Sequence, residues 1–399
     1  MGISISFAWK GSYYLIGLLI IIPLLWYIEN FIESIVFIFF YYLFSTKSIP
    51  VIMSEYNYFY SIMPNFKIFY YSIWFVYSII LSIPWILAKK IQYKYQDFWQ
   101  LRLLIIIFPL LIGIVPPFYI LGLGSPIEGA GFYFPKLGFL GIFLYLSLII
   151  LLCSLFDLKF YKNYQNYLNN HKINKLFFLL ILIIISICSN FFYKNKEIKD
   201  DWISVSTNIR PFQYNSYVFE YLKSIILFLI DKNYKIIVLP ENALGIWDKK
   251  NINKWKSIIE YAKKNKSTVI SGAYFLTDNN KIESGIIGFG KTNKVLYHIR
   301  QPIPIAGWNP FSKNGLSVDW ISRGSRIING EKIAFVVCYE ELLPGVILSS
   351  FIDFYPPNYI ISVANNWVGK GTGEAHAQFN SLFIMSRLFG VPFLRSWNR

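Results

Sequence analysis

Charge is scarce in this sequence. Asp, Glu, Lys and Arg make up 15% of the 399 residues, against 55% hydrophobic and 20% aromatic. That is too little charge to coat one soluble globule, so part of the chain is expected in lipid. Cysteine is scarcer still: three residues, Cys153, Cys188 and Cys338, cannot build a disulfide framework. Histidine is equally thin, and His298 and His376 stand far apart without metal-ligand spacing, so neither a metal nor another cofactor is expected. The glycine-rich "GKGTGE" at residues 369–374 lacks the Gly-Lys-Ser/Thr ending of a phosphate loop and reads as a flexible loop. The net charge of +16 is scattered among isoleucine, asparagine and tyrosine rather than gathered into an aromatic-basic stripe, which speaks against a nucleic-acid partner.

What is present divides unevenly. From about Ser12 to Tyr193 the chain runs in long apolar blocks; after Asp200 polar and apolar residues mix. The expected organisation is a transmembrane helical domain over residues 1–196 and a second domain over residues 197–399. A span needs roughly 17–25 mostly apolar residues. The blocks near Tyr13–Ile28, Phe31–Ser45, Ile68–Leu87, Leu103–Leu121, Leu137–Phe156 and Leu176–Phe192 qualify, and Ile49–Met63 offers a seventh. The first block is not followed by a small-residue cleavage site and further spans come after it, which argues against a cleaved signal peptide. Cys153 and Cys188 fall inside spans, where cysteine serves as a small apolar filler.

Orientation follows from lysine and arginine in short loops. Lys89, Lys90, Lys94 and Arg102 crowd one connection, and Lys159, Lys162, Lys172 and Lys175 another; the intervening "GLGSPIEGAGFYFPK" carries one lysine. The crowded connections are expected in the cytoplasm, and the chain from about Lys194 on the outer face. Six spans place the N-terminus outside; seven bring it inside, where Lys10 would be favoured.

Beyond Trp202, short β-branched runs alternate with helical patterns. Strands are expected in "WISVSTNI", "YKIIVLPENAL", "STVISGAYFL", "KIAFVVCYE" and "NYIISVANNW", with helices between them and from about Ala375 to Phe389. This is an α/β layered domain, in which reactive groups gather where strands end. Three strand ends carry suitable groups: Glu241, Cys338, and the pair Asn365 and Asn366. A thiol at neutral pH is only a few per cent thiolate, so a reactive cysteine needs a base, and a strand-end glutamate can be one. Acyl transfer further requires a donor for the developing oxyanion.

The segments "VLPENAL", "VVCYEELLP" and "ISVANNWVG" resemble the signature segments of the nitrilase (carbon-nitrogen hydrolase) superfamily. Spans followed by such a domain resemble apolipoprotein N-acyltransferase. The resemblance implies an α-β-β-α sandwich and a Glu-Lys-Cys triad. Glu241 would be general base and Cys338 the nucleophile that takes an acyl chain from phospholipid as a thioester, a lipoprotein amine would accept it, and Tyr339 and Glu340 would support the nucleophile. Asn365 and Trp367 belong to the third segment, and Trp308 and Trp367 could frame an apolar mouth.

The lysine is where the sequence departs. In "LYHIRQPIPIAGWNP", counting from Tyr297 puts Ile299 in its place, and a one-residue shift puts Arg300 there. Arginine can stabilise an oxyanion but does not readily exchange a proton. The stretches "RQPIPIAGWNPF" and "SRLFGVPFLRSWNR" resemble the TraB-type branch found in conjugal transfer systems, which implies conjugation-apparatus partners. The chain stops at Arg399, short of the last strands and span of lipoprotein acyltransferases, so either the branch ends here or the gene is truncated. Two functions remain: an acyltransferase in the bacterial inner membrane, or a degenerate nitrilase-like domain serving as a binding or assembly module.

Overall fold

The computed structural model describes residues 1–9, 11–60, 66–95, 98–156, 168–209, 216–276, 282–305, 307–308, 316–322 and 324–398. Lys10, Met63, Lys159 and Lys162, on which the readings of the N-terminus, the seventh span and the second basic connection leaned, lie outside them. The chain forms two compact units. One comprises Met1–Ile49, Tyr71–Asn195 and Phe379–Gly390; the other Pro50–Tyr70, Lys196–Gln378 and Val391–Arg399.

The first unit is helical. Among the described residues, four helices are long and apolar enough to cross a membrane: Phe31–Glu55, Lys67–Lys94, Gly138–Phe156 and Asn174–Phe191. Leu140, Phe143, Phe177 and Ile187 are exposed on their outer sides, so these helices are apolar all round. Helices of that kind suit lipid rather than water. Tyr13–Ile28 is a shorter apolar helix. Leu103–Leu121, expected as one span, is instead broken into Trp99–Leu104, Ile107–Leu111 and two 3-10 turns, Ile112–Ile114 and Phe118–Gly122. Pro109, Pro116 and Pro117 remove helix donors along this stretch. A Cβ on Gly113 would lie 2.5 Å from the backbone of Gly122, so the two turns pack back to back.

Lys89, Lys90 and Lys94, expected in a loop, form the last turns of the helix Lys67–Lys94. Lys89 is buried there, and its Nζ donates to the carbonyls of Trp26 at 2.8 Å and Tyr27 at 3.1 Å. Those carbonyls close the helix Ile21–Ile28, whose end attracts a cation.

The second unit is built on two sheets. Strands β1 (Trp202–Ser204), β2 (Ile236–Leu239), β3 (Thr268–Leu276), β4 (Ile282–Gly290) and β5 (Lys294–His298) lie in that order in one sheet. Strands β6 (Ser325–Ile328), β7 (Glu331–Val337), β8 (Tyr359–Asn365) and β9 (Phe393–Asn398) form the other. β1 to β3 are parallel, joined through the helices Ser216–Asp231 and Lys249–Lys264, while β3, β4 and β5 form an antiparallel meander. In the second sheet β7, β8 and β9 are parallel.

Side chains alternate across each strand, so each sheet has two faces to bury. One core lies between the first sheet and its helices: Leu222, Ile226, Trp255 and Ile258 meet Ile237, Leu239, Val269 and Ile287. A second lies between the sheets, where Val238, Ile270, Ile286 and Ile299 meet Phe335, Val337, Ile361 and Val363. The helix Pro344–Ser350 packs against β7. The layers run helix, sheet, sheet, helix: the expected α-β-β-α sandwich.

Candidate active site at two facing strand ends

Both sheets leave their polar strand ends at one cavity. β2 stops at Pro240, whose ring cannot donate to the ladder, and Glu241 follows. Close approach is required here: a Cβ on Gly272 of β3 would lie 2.6 Å from the Cα of Glu241. β7 delivers Cys338, which begins the 3-10 turn Cys338–Leu342 with φ of 47°. A non-glycine residue in the left-handed region is strained and needs its surroundings to hold it. Asn365 closes β8.

The restraint on Cys338 comes from Glu340. This fully buried carboxylate accepts from Val337 N at 3.0 Å, Arg300 N at 2.6 Å, Gln301 N at 3.0 Å and Tyr297 Oη at 2.7 Å. One side chain thereby ties the end of β7 to the chain leaving β5. Burial raises the Glu340 carboxyl above its ordinary range, with the Arg300 guanidinium pulling against that rise. Behind it, Glu341 accepts from Arg395 Nε at 2.7 Å and Nη2 at 2.8 Å, and from Ser362 Oγ at 2.5 Å.

The cavity itself, about 50 Å³, is lined by Glu241, Asn242, Tyr274, Ser284, Ile299, Pro302, Ile303, Gly307, Leu316, Cys338, Tyr339 and Asn365. That volume holds a few water molecules, or a small acyl group. The Cys338 Sγ donates to the Asn365 carbonyl oxygen at 3.8 Å, and the Glu241 carboxyl lies beside the thiol, close enough for each to shift the other. Burial raises the Glu241 carboxyl to about 7, opposed by its bonds to the thiol and to the Asn365 backbone. Burial also pushes the thiol well above its usual value, and the Glu241 charge adds to that. The pair rests as a neutral thiol beside a carboxyl whose ionisation is shifted up toward neutral pH.

The structure thus brings Glu241, Cys338, Tyr339 and Asn365 to one wall. It does not bring Arg300 there. The Arg300 guanidinium donates to Tyr297 Oη at 3.0 Å, Ser349 Oγ at 2.7 Å, Ser350 Oγ at 2.7 Å and the Val346 carbonyl at 2.5 Å. Ile299 lines the cavity instead. The physical reason is strand alternation: Ile299 shares the face of Tyr297 between the sheets, and Arg300 takes the other. Among the described residues, the lining holds no lysine or arginine.

Trp367 and Trp308 lie outside the lining. Trp367 stacks under Lys370, 5.4 Å from its ring, and Trp308 meets Trp320 at 5.8 Å. Asn366 is buried with both side-chain polar atoms unpaired. His298 Nδ1 and Glu283 Oε2 are 2.8 Å apart. Among the described residues no three His, Cys, Asp or Glu side chains form a group that could hold a metal. Sequence reasoning missed Asn242, Tyr274 and Ser284; Tyr274 and Ser284 sit on the inward face of β3 and β4, where only strand alternation points to them.

Two facing sheets with a glutamate and a cysteine at their ends are the arrangement expected from the resemblance to the nitrilase superfamily. The chain is similar to the conjugal transfer protein TraB of Agrobacterium fabrum, 30% identical over 173 residues, which are 41% of this chain and 39% of that protein. It is 27% identical over 167 residues to the probable conjugal transfer protein TraB of Sinorhizobium fredii, covering 41% of this chain and 42% of the other. The chain thus spans about two fifths of the curated relatives it matches. Among solved structures it is similar to a carbon-nitrogen hydrolase from Helicobacter pylori, at 12% identity and a TM-score of 0.37 over 49% of this chain and 72% of that one. An amidase from Nesterenkonia sp. matches at 11% identity and a TM-score of 0.33, over 50% and 78%. No family model matches.

Proposed function

We propose that this protein is a membrane-anchored enzyme that moves an acyl group through a thioester on Cys338, with Glu241 as general base. The observation that carries the reading is the pairing of Glu241 and Cys338 at the wall of one partly open cavity, with Cys338 on a strained strand-to-turn junction. Ionised Glu241 takes the Sγ proton as the sulfur attacks an acyl carbon, and the carbonyl π electrons move to oxygen. Collapse of the tetrahedral species expels the leaving group, which takes the proton from Glu241 and leaves the thioester. An amine or water then attacks, giving its proton to Glu241. Expulsion of sulfur, which regains that proton, returns the free thiol.

An apolipoprotein N-acyltransferase-like reaction, with phospholipid as donor and a lipoprotein amine as acceptor, is the specific form we favour, acting at the bacterial inner membrane with the C-terminal unit on the outer face. The second reading is a conjugal transfer role in which this unit binds or assembles without catalysis. Ile299 in the lysine's place and the similarity to TraB proteins favour it. Mass spectrometry of the protein purified in native lipid separates the two. A hydroxylamine-sensitive acyl adduct on Cys338, lost in Glu241→Gln, supports the enzyme. Folded protein with lipid present and no adduct supports the binding module.

A further inference from the structure

Among the described residues the cavity lining holds no lysine or arginine, yet it does not lack a donor. We infer that Ser284 donates the hydrogen bond that stabilises the acyl oxygen during thioester formation, in the role a cation would otherwise fill. The inference rests on the reading of Cys338 as nucleophile.

Position is the first argument. Ile299 N donates to the Ser284 carbonyl oxygen at 3.0 Å, so the two residues are cross-strand neighbours on β4 and the chain leaving β5. On its other side Ser284 pairs with Tyr274 of β3. Tyr274, Ser284 and Ile299 form a row, and all three line the cavity with Cys338. Ser284 alternates with Ile286, which packs between the sheets, so its side chain takes the inward face.

The second argument is an unmet need. Ser284 is 2% exposed, and its Oγ has no hydrogen-bond partner. Ser271, Ser362 and Ser396, buried in the same unit, donate to the Gly272 carbonyl, Glu341 and the Val205 carbonyl; Thr268 Oγ1 is the other buried hydroxyl without a partner among the described residues of this unit, and it does not line the cavity. A buried hydroxyl without a partner is unfavourable and rare. An acyl oxygen held beside Cys338 meets that need. As sulfur bonds to the acyl carbon, the oxygen gains the carbonyl π electrons, Ser284 donates to it and keeps its own proton, and the Sγ proton resides on Glu241. Collapse reforms the carbonyl, breaks the bond to the leaving group, and passes the Glu241 proton to that group. A neutral donor is consistent with a Glu241 carboxyl left near 7, since a cation in the cavity would lower it.

The test uses full-length protein in detergent with 4-nitrophenyl acetate, following acetylation of the Cys338 peptide, and iodoacetamide as a control that alkylates the same thiol without forming an oxyanion. Ser284→Ala is expected to slow acetylation about 100-fold and leave alkylation at the wild-type rate, while Ser284→Thr retains most of the acetylation. Wild-type acetylation rates in Ser284→Ala, or equal losses of acetylation and alkylation, overturn the role. Absence of any acetyl adduct in wild-type protein overturns the thioester reading itself, and the inference with it.

Discussion

The cavity wall and the layer directly behind it treat charge in opposite ways. At the wall, Glu241 and Cys338 stand side by side with no cation among the described lining residues. Behind it, Arg300 is buried within the bracket built around Glu340, and Arg395, its side chain 7% exposed, makes a two-bond fork to Glu341. The difference teaches that this chain spends its buried cations on holding the strand ends in place and leaves the reacting pair to regulate its own protonation. Arginine suits the first task, since its planar fork stays charged and satisfies several acceptors at once.

That contrast is broken most severely at Arg395. Arg395→Met leaves the Glu341 carboxylate buried with only the Ser362 hydroxyl donating to it among the described residues, and is expected to destabilise the second unit by about 3–5 kcal/mol. Thermal unfolding of the purified protein measures this, and an unchanged midpoint would mean that Glu341 carries no charge. A smaller effect is expected at Arg300. An ammonium in Arg300→Lys cannot reach Tyr297, Ser349, Ser350 and the Val346 carbonyl together, so about 1–3 kcal/mol is lost with no gain in acylation. A gain would return Arg300 to the cavity and contradict its placement.

The reacting pair was legible in the sequence because two apolar runs end abruptly in chemistry, at Pro240–Glu241 and at Val337–Cys338. The sandwich was legible for the strands rich in β-branched residues. It was hidden for β4, where Gly285, Gly288 and Gly290 dilute the strand pattern that would have pointed to Ser284 just before them. The choice between Ile299 and Arg300 could have been made by counting two residues from buried Tyr297, but nothing local shows that the strand geometry persists past His298. The partners of Glu340 and Glu341 were beyond reach, because they lie as far as 54 residues away along the chain. The break in Leu103–Leu121 was signalled by Pro109, Pro116 and Pro117, which a hydropathy window averages away.

The most direct measurement is the pH dependence of Cys338 acylation in wild-type, Glu241→Gln and Ile299→Lys proteins. Glu241 acts as base only when ionised, and its carboxyl lies at about 7, so the wild-type rate should be low in acid and rise through that pH. Glu241→Gln should lose both the rise and most of the rate. Ile299→Lys should move the rise to lower pH, because a cation beside the carboxyl favours its ionised form. A flat wild-type profile, or one unchanged by Glu241→Gln, would contradict Glu241 as the base.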